Sequence, residues 1–541
     1  MAALVPISKS VLVLGSAPRT ALSIVRSLGR AGIAVDLAWC LPGEIVTASR
    51  FVRRVVELSP SLESEAWLPP LKALLESERY DLVIPAADTQ LIPLVLARRE
   101  LEPLARLAIP PEHAFLTAYD KFKTTTLAAQ LGIHVPRFLI LEKPGESLPA
   151  DFPVPCVLKP GSSYDTTRTA TSRRFVQHAF SRSEAEHMLA RMLPQGPVMA
   201  QAYFVGRGVG VELLARNGKI LVAFQHERLH EAPEGSGSTY RQSVPLEREL
   251  LDAARLLVEA LNYTGVLMVE FKRNAKDWMF VEINARFWGS LPLGLAAGSD
   301  MPRYLYEMMV EGRESFDSDY RTFVRCRNLL DDVAWFRRNW RADHSNANLI
   351  TVGRARSVLD FANVLTGRDH LDYFAPDDRA PGWRQLALEA VRAREAVLAR
   401  LSRPRADLET ANAILFLCKG NICRSPFAEQ LARKKWPNKQ IASAGTFPKN
   451  GRSSPPEAVI AARELGTDLQ DHLSRFANRE TLDVAERIVI FEPEQAIWLK
   501  TNYPEYARKI AYLDGVTPDP FGKDLGQFQA CYRQISAALG S

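Results

Sequence analysis

A chain of 541 residues is too long for one hydrophobic core; at roughly 100–200 residues per domain it divides into three or four units. Its 47% apolar and 24% charged residues are the balance of a soluble globular protein, and a net charge of +6 is too dilute to argue for a nucleic-acid partner. The apolar runs fall short of the roughly 18 residues a membrane-spanning helix requires. Six cysteines (Cys40, Cys156, Cys326, Cys418, Cys423 and Cys531) are scattered except for the last pair but one, so no disulfide framework is expected and a reducing, cytoplasmic setting fits. The start, MAALVPISKSVLVLG, lacks a basic region and a small-residue cleavage site and reads as a first strand rather than a signal peptide.

In chain order, SVLVLG (10–15) reads as a buried strand, TALSIVRSLGRAG as a helix, and IAVDLAWC and DLVIP (81–85) as further strands. The alternation predicts a small parallel α/β unit over residues 1–117. GSAPRT (15–20) lies on a strand-to-helix turn and is a weak dinucleotide signal. A second unit is expected over 118–320. It opens with the helix DKFKTTTLAAQLG and continues through β-like runs CVLK (156–159), VMAQAYF (198–204), VGVELLA (209–215) and ILVAFQ (220–225). A helix at 247–261 and the strands VLMVEFK (266–272) and WMFVEINAR (278–286) follow. Residues 226–243, polar and rich in Gly and Ser, read as a lid or substrate loop, with His226, Arg228, Tyr240 and Arg241 as candidates to face an acceptor; the alternative is a surface loop. Residues 301–341 read as helical and 342–382 as mixed. The Arg-rich 383–403 reads as a helix with a solvated face, and 402–412 as a linker, so 321–410 forms an extension before a last unit at 411–541. No internal repeat or low-complexity tract is evident.

Glu270, Glu282 and Asn284 are the informative residues of the second unit. On a strand Glu282 and Asn284 share a face, as does Arg286, and Glu270 belongs to the neighbouring strand. Oxygen ligands converging from two strands suit Mg²⁺ that also holds phosphates. Two carboxylates on apolar strands are costly without cations. Lys159 precedes a Gly/Ser loop and Lys121 begins a helix; both can neutralise phosphates, or be surface charges. The order of these elements resembles the ATP-grasp superfamily: Asp120–Pro136, Lys159–Ser163, the hinge VMAQAYFVG (198–206) and Glu270–Arg286. The resemblance covers about residues 1–320. It implies ATP held between two subdomains, with adenine near Met199, Gln201, Ala202 and Tyr203. Lys121 and Lys159 would lie on phosphates, and Glu270, Glu282 and Asn284 on Mg²⁺, with Mn²⁺ as an alternative. It further implies activation of a carboxylate as an acyl phosphate, attack by an amine or other nucleophile, and Arg286 on the phosphoryl group. Gln201 and Gly208 stand where members often carry acids, which leaves ribose contacts open.

Residues 413–426 read AILFLCKGNICRSP: a buried strand, a glycine-containing loop, then Ser425 and Pro426 opening a helix. This geometry aims backbone N–H groups and the positive helix end at an anion. A thiolate nucleophile needs such surroundings, since an ordinary cysteine titrates near ~8.5. Arg424, six residues after Cys418, can bind two phosphoryl oxygens with its planar fork. The string C-K-G-N-I-C-R-S-P (Cys418, Lys419, Gly420, Asn421, Ile422, Cys423, Arg424, Ser425, Pro426) resembles the signature loop of the low-molecular-weight protein tyrosine phosphatases. SAGT (443–446), DLQDHLSR (468–475) and TPDPFG (517–522) continue the resemblance over about 410–541. It implies a doubly wound parallel sheet and a two-step reaction on a phosphomonoester, such as phosphotyrosine or a small phosphorylated metabolite. Cys418 would form a cysteinyl-phosphate and Asp519 would act as acid and then base. Ser425 would support the thiolate, Asn421 would organise the loop, and Phe521 would flank the ring. Cys423 is either a reversible disulfide partner of Cys418 or a small buried residue. An arsenate reductase on the same fold is the lower-ranked rival, since only Cys531 remains as a relay thiol. A grasp unit that regulates the phosphatase, rather than ligating, is the other alternative.

Overall fold

The computed structural model describes residues 9–540 except 16, 41–42, 57, 59–66, 163–175, 234–236, 402–404, 448–449 and 514. The chain forms two compact units, Met1–Trp383 and Arg384–Ser541.

The first unit begins with a four-stranded parallel sheet, in the order Val52–Val56, Ala34–Ala38, Ser10–Leu14, Leu82–Pro85. Ser10–Leu14 is buried throughout, as a central parallel strand covered on both faces must be. The edge strand Val52–Val56 escapes a hydropathy reading because two arginines sit in its middle. Both are neutralised by Asp36: Arg53 Nε donates to it at 2.7 Å and Arg54 Nε at 2.8 Å.

Two antiparallel arrays follow. The smaller is ordered Phe138–Leu141, Val198–Ala202, Cys156–Pro160, Gln177–Ala179. The larger has seven strands: Trp278–Asn284, Gly265–Arg273, Arg207–Arg216, Lys219–Glu231, Ser238–Ser243, Arg325–Arg327 and Asp369–Leu371. Only its last pair is parallel. Two expectations are corrected here. Most of 226–243 is strand rather than loop: Lys219–Glu231 and Ser238–Ser243 pair antiparallel, with Arg228 opposite Arg241. Their charged side chains find at least one partner in the fold, His226 with Glu212, Arg228 with Glu270, His230 with Asp332 and Arg241 with Asp372, so a buried strand reads as polar sequence. The stretch 301–341 is not wholly helical, because Arg325–Arg327 is a strand between the helices Met301–Val310 and Leu329–Arg341. Arg327 is fully buried, ion-paired with Asp332 and, at 3.0 Å, with Asp369.

The second unit carries four parallel strands in the order Gln440–Gly445, Ala413–Cys418, Arg487–Ile490, Ile510–Tyr512. Alternation along Ala413–Cys418 sends Ile414, Phe416 and Cys418 into one core with Phe427, Phe528 and Tyr532. Leu415 and Leu417 enter another with Ile488, Ile490, Leu499 and Tyr506. The sheet is therefore covered on both faces, and its central strand ends at Cys418. The Arg-rich helix Ala380–Leu401 lies largely in this unit, so the expected extension 321–410 is shared between the two. Its Glu395 is buried and accepts from Lys500 at 2.7 Å and Tyr512 at 3.0 Å. Among the described residues no helix is long and apolar enough to cross a membrane.

Candidate active sites

Cys418 closes its strand, and the chain turns through Lys419–Cys423 into the helix Arg424–Lys435. The turn is tight because Asn421 takes φ +51°, a left-handed conformation that asparagine tolerates better than most residues. Its backbone N–H then points at Cys418 Sγ, 3.2 Å away, and Ser425 Oγ lies 3.1 Å from the same sulfur. The Asn421 side chain holds this shape. Its Nδ2 donates to Ser425 Oγ at 2.9 Å and to Ser443 Oγ at 2.8 Å, and its Oδ1 accepts from the Arg475 amide at 2.7 Å. Ser443 Oγ in turn donates to Glu429 Oε2 at 2.6 Å. His472 Nε2 donates to the Asn421 carbonyl at 2.7 Å, and burial lowers the pKa of its imidazole. The SAGT stretch is thereby explained: a Cβ at Gly445 would lie 2.9 Å from the Lys419 carbonyl oxygen, so only glycine lets that strand approach the loop.

Arg424 is fully buried. Its Nη1 donates to the Thr517 carbonyl at 2.8 Å and lies 2.6 Å from Glu492 Oε2, while Nη2 lies 2.9 Å from Asp519 Oδ2. Burial alone would lower its pKa, but the facing Cys418, Asp519 and Glu492 raise it. The loop residues predicted from the sequence and Asp519, about a hundred positions later, are thus brought together. Lys419 is exposed, and Gly420 is tied through its carbonyl to Arg452 Nη2 at 2.6 Å. Phe521 is exposed beside Asp519. Glu492, which sequence reasoning passed over, is the additional charged group at this site; its position directly after a strand end was the available signal. Cys423 and Cys531 are buried thiols, the first with a pKa well above the ordinary value and the second pushed up to about 12, both by desolvation.

The second site is a cavity of about 670 Å³ walled by both antiparallel sheets of the first unit. Lys159, Gln201, Ala202 and Tyr203 come from the smaller sheet; Glu270, Glu282, Asn284 and Arg286 come from the larger or its end. Glu270 stands directly opposite Glu282, and Met268 opposite Asn284, so the expected ligands share one face. Met199 shares the strand of Gln201 but is fully buried and does not line the cavity. Lys121 is held against Glu282, and Arg228 Nη2 lies 2.8 Å from Glu270. Burial opposes the charge on Glu282, yet Lys121, Lys159 and Arg286 keep its carboxyl below the usual range. Arg286 donates twice to Asp88, at 2.8 Å each, from the first helix after the parallel sheet's last strand. Glu231 accepts from the Gly208 amide at 3.0 Å, supplying an acid where the sequence shows glycine. The loop after Lys159 runs into residues outside the described set.

The chain's own groups fit a magnesium nucleotide. Lys159 is buried, without an ion pair among the described residues, and burial lowers its pKa to about 8. Gln201 Nε2 is buried with no partner among the described residues and faces the hinge side of the cavity. Glu270, Glu282 and Asn284 offer hard oxygens. No group of three or more His, Cys, Asp or Glu poised for a metal occurs among the described residues. Two carboxylates and an amide, completed by phosphate oxygens, are what a nucleotide-bound Mg²⁺ takes.

Comparison with known proteins assigns both sites to classes. Residues 413–541 match the family model "Low molecular weight phosphotyrosine protein phosphatase", and residues 195–329 match "ATP-grasp in the biosynthetic pathway with Ter operon". Through its last quarter the chain belongs to the low-molecular-weight phosphotyrosine protein phosphatase family. It is 32% identical over 120 residues to the low molecular weight protein-tyrosine-phosphatase Ptp of Acinetobacter johnsonii, covering 21% of this chain and 84% of that protein. It is also 32% identical over 126 residues to Wzb of Escherichia coli K12, covering 22% and 86%. The L-amino acid ligase of Bacillus licheniformis overlaps 59% of this chain and 78% of its own, at 18% identity and a TM-score of 0.47. The chain is an enzyme in which a stretch matching an ATP-grasp family model is joined to a low-molecular-weight phosphotyrosine protein phosphatase domain.

Proposed function

We propose that the protein is bifunctional: an ATP-dependent carboxylate ligase joined to a cysteine-dependent phosphomonoesterase. The observation that carries the second half is the convergence of Cys418, Arg424 and Asp519. Cys418 Sγ attacks phosphorus and forms a cysteinyl-phosphate, and the leaving oxygen departs with a proton from Asp519. Water, deprotonated by Asp519, then cleaves the S–P bond and regenerates the thiolate. Arg424 and the loop amides hold the equatorial oxygens throughout. Asn421 N–H and Ser425 Oγ–H stabilise the sulfur as an anion. Asp519 must be protonated while Cys418 is ionised, which gives a bell-shaped pH profile. Phosphotyrosine or a small aryl phosphate suits Phe521 beside the loop. Desolvation raises the pKa of Cys423 and Cys531 and keeps them as thiols, which disfavours a thiol relay and thus the arsenate-reductase alternative.

In the first half, ATP supplies the phosphoryl group that turns a carboxylate into an acyl phosphate, which an amine or another nucleophile then attacks. Lys121 and Lys159 neutralise phosphate oxygens, Gln201 and the hinge around Ala202–Tyr203 hold the base, and Glu270, Glu282 and Asn284 carry Mg²⁺. One observation favours the regulatory reading: both expected metal carboxylates are already paired, Glu282 with Lys121 and Glu270 with Arg228. Lys121 and Arg228 thus already supply the positive charge that a metal would bring to these carboxylates.

The two halves are tested separately on the full chain. Aryl-phosphate hydrolysis vanishes in Cys418→Ser, and activity persisting there rejects the phosphatase mechanism. ADP release is screened with pairs of carboxylic acids and amines, with and without Glu282→Ala. ATP binding without ADP release from any pair favours the regulatory reading.

A further inference from the structure

The ligase half needs a group to hold its acid substrate, and Arg286 is not free for that work. Its Nε and Nη2 are both given to Asp88, and its Nη1 donates to the Phe287 carbonyl at 2.8 Å. A different guanidinium on the same cavity wall is only partly committed. Arg241 is fully buried and lines the cavity; its Nη2 reaches Asp372, but its Nε and Nη1 have no hydrogen-bond partner among the described residues. Arg19 joins it from the helix Pro18–Arg30, donating from Nη1 to the Ser238 carbonyl at 3.2 Å and lying 3.8 Å from Asp372. Trp288 also lines the cavity, 1% exposed, and its indole Nε1 has no partner among the described residues.

The charge and the hydrogen bonds are both incomplete in the same sense. Arg241 and the partly exposed Arg19 share the carboxylate of Asp372, and the buried Glu212, which also acts on Arg241, is engaged by His226 and Ser290, so the two guanidiniums have one dedicated counter-charge between them. Three buried donor nitrogens, two on Arg241 and one on Trp288, lack acceptors among the described residues; Asp372 Oδ2 and Glu212 Oε2 are buried acceptors likewise without a hydrogen bond there. Each unmade buried bond costs about 1–3 kcal/mol, and such groups persist where a ligand completes them. A carboxylate supplies what is missing: one negative charge and two oxygens able to accept from a guanidinium fork and an indole. A neutral ester or amide supplies neither the charge nor the second acceptor.

We propose that Arg241, with Arg19 and Trp288, is the subsite that holds the carboxylate of the ligase's acid substrate. The proposal rests on the ligase reading for the identity of the reaction, but the subsite itself is a claim about binding. It places substrate selection on the strand Ser238–Ser243 and on the first helix of the chain, rather than on Arg286.

The test separates binding from turnover. The full-length protein is labelled with ¹⁵N-tryptophan, and the Trp288 indole signal is identified by its loss in Trp288→Phe. Acetate, L-alanine and succinate are titrated, with their methyl esters as controls. The expected result is movement of the Trp288 signal with the acids and not with the esters. Half-saturation should rise about 10- to 150-fold in Arg241→Met, the range of a lost charge-assisted hydrogen bond. Binding of a non-hydrolysable ATP analogue should be unchanged. Arg241→Lys should recover part of the affinity, and Arg19→Met should weaken binding in the same direction; these two carry the test if Arg241→Met does not fold. Equal affinity in the variants that fold, an equal response to the esters, or no response to any acid overturns the subsite. Acid binding through Arg241 without ADP release from any acid–amine pair rejects the ligase reading and leaves the subsite standing.

Discussion

Arg424 Nη2 and Asp519 Oδ2 stand 2.9 Å apart, although ninety-five positions of chain separate them. The arginine is fully buried and the aspartate side chain is 32% exposed, so the pair joins a fixed phosphate-binding fork to an acid that reaches solvent. This arrangement makes Asp519 the group whose loss depends on the leaving group. Asp519→Asn should lower kcat about 10²- to 10⁴-fold for phosphotyrosine, the range of a lost general acid. The loss should be smaller for 4-nitrophenyl phosphate, whose phenolate leaves without a proton. Steady-state kinetics with both substrates checks this, and equal losses would contradict the assignment.

Asn421 makes the loop's shape rather than its chemistry. Asn421→Ala removes two side-chain donations and the acceptor for the Arg475 amide, and leaves alanine at φ +51°. The phosphatase unit should be destabilised by about 2–4 kcal/mol, with weakened inorganic phosphate binding. Thermal unfolding and phosphate titration read both effects. Gly445→Ala should act similarly through its clash with the Lys419 carbonyl.

Lys159 should make ATP binding depend on pH. Burial lowers its pKa to about 8, so the ammonium is charged at pH 7 and is lost as pH rises through 8 in the free protein. Nucleotide phosphates stabilise the charged form. Affinity for ATP should therefore fall between pH 7 and 9, with proton uptake on binding in the upper part of that window. Calorimetry in buffers of different ionisation enthalpy measures the uptake, and Lys159→Arg should flatten the profile.

Glu282 is held below the ordinary carboxylate range by Lys121, Lys159 and Arg286 despite its burial. Glu282→Gln should abolish Mg²⁺-dependent nucleotide affinity while leaving metal-free nucleotide binding nearly intact, because the lysines remain. Titrating ATP with and without Mg²⁺ distinguishes the two. Loss of both would indicate a collapsed site rather than a lost ligand.

What could be read from the sequence followed from chemistry that sits in short, contiguous strings. Cys418–Pro426 announces its anion loop because strand, glycine and helix start are local matters of spacing. Glu270, Glu282 and Asn284 announce a common face because a strand repeats every two residues, and the observed pairing places them so. The parallel unit at the start was legible from its alternating strand and helix patterns and the middle strands from their apolar runs, but the antiparallel sense of those strands was not, and the parallel sheet at the end was implied by the family resemblance.

The tertiary structure alone decided which charges are spent and which remain available. Arg286 and Arg241 look alike in sequence, but one fork is filled by Asp88 and the other has Nε and Nη1 without a partner among the described residues. The strands Val52–Val56, Ser238–Ser243 and Arg325–Arg327 were obscured because their arginines are ion-paired, wholly or in part, with Asp36, Asp372, Asp332 and Asp369. Glu492 and Asp519 reach Arg424 from separate places in the chain. Periodicity records whether a residue is polar; only the fold supplies the opposite charge that lets it be buried, or withholds it where a ligand is to bind.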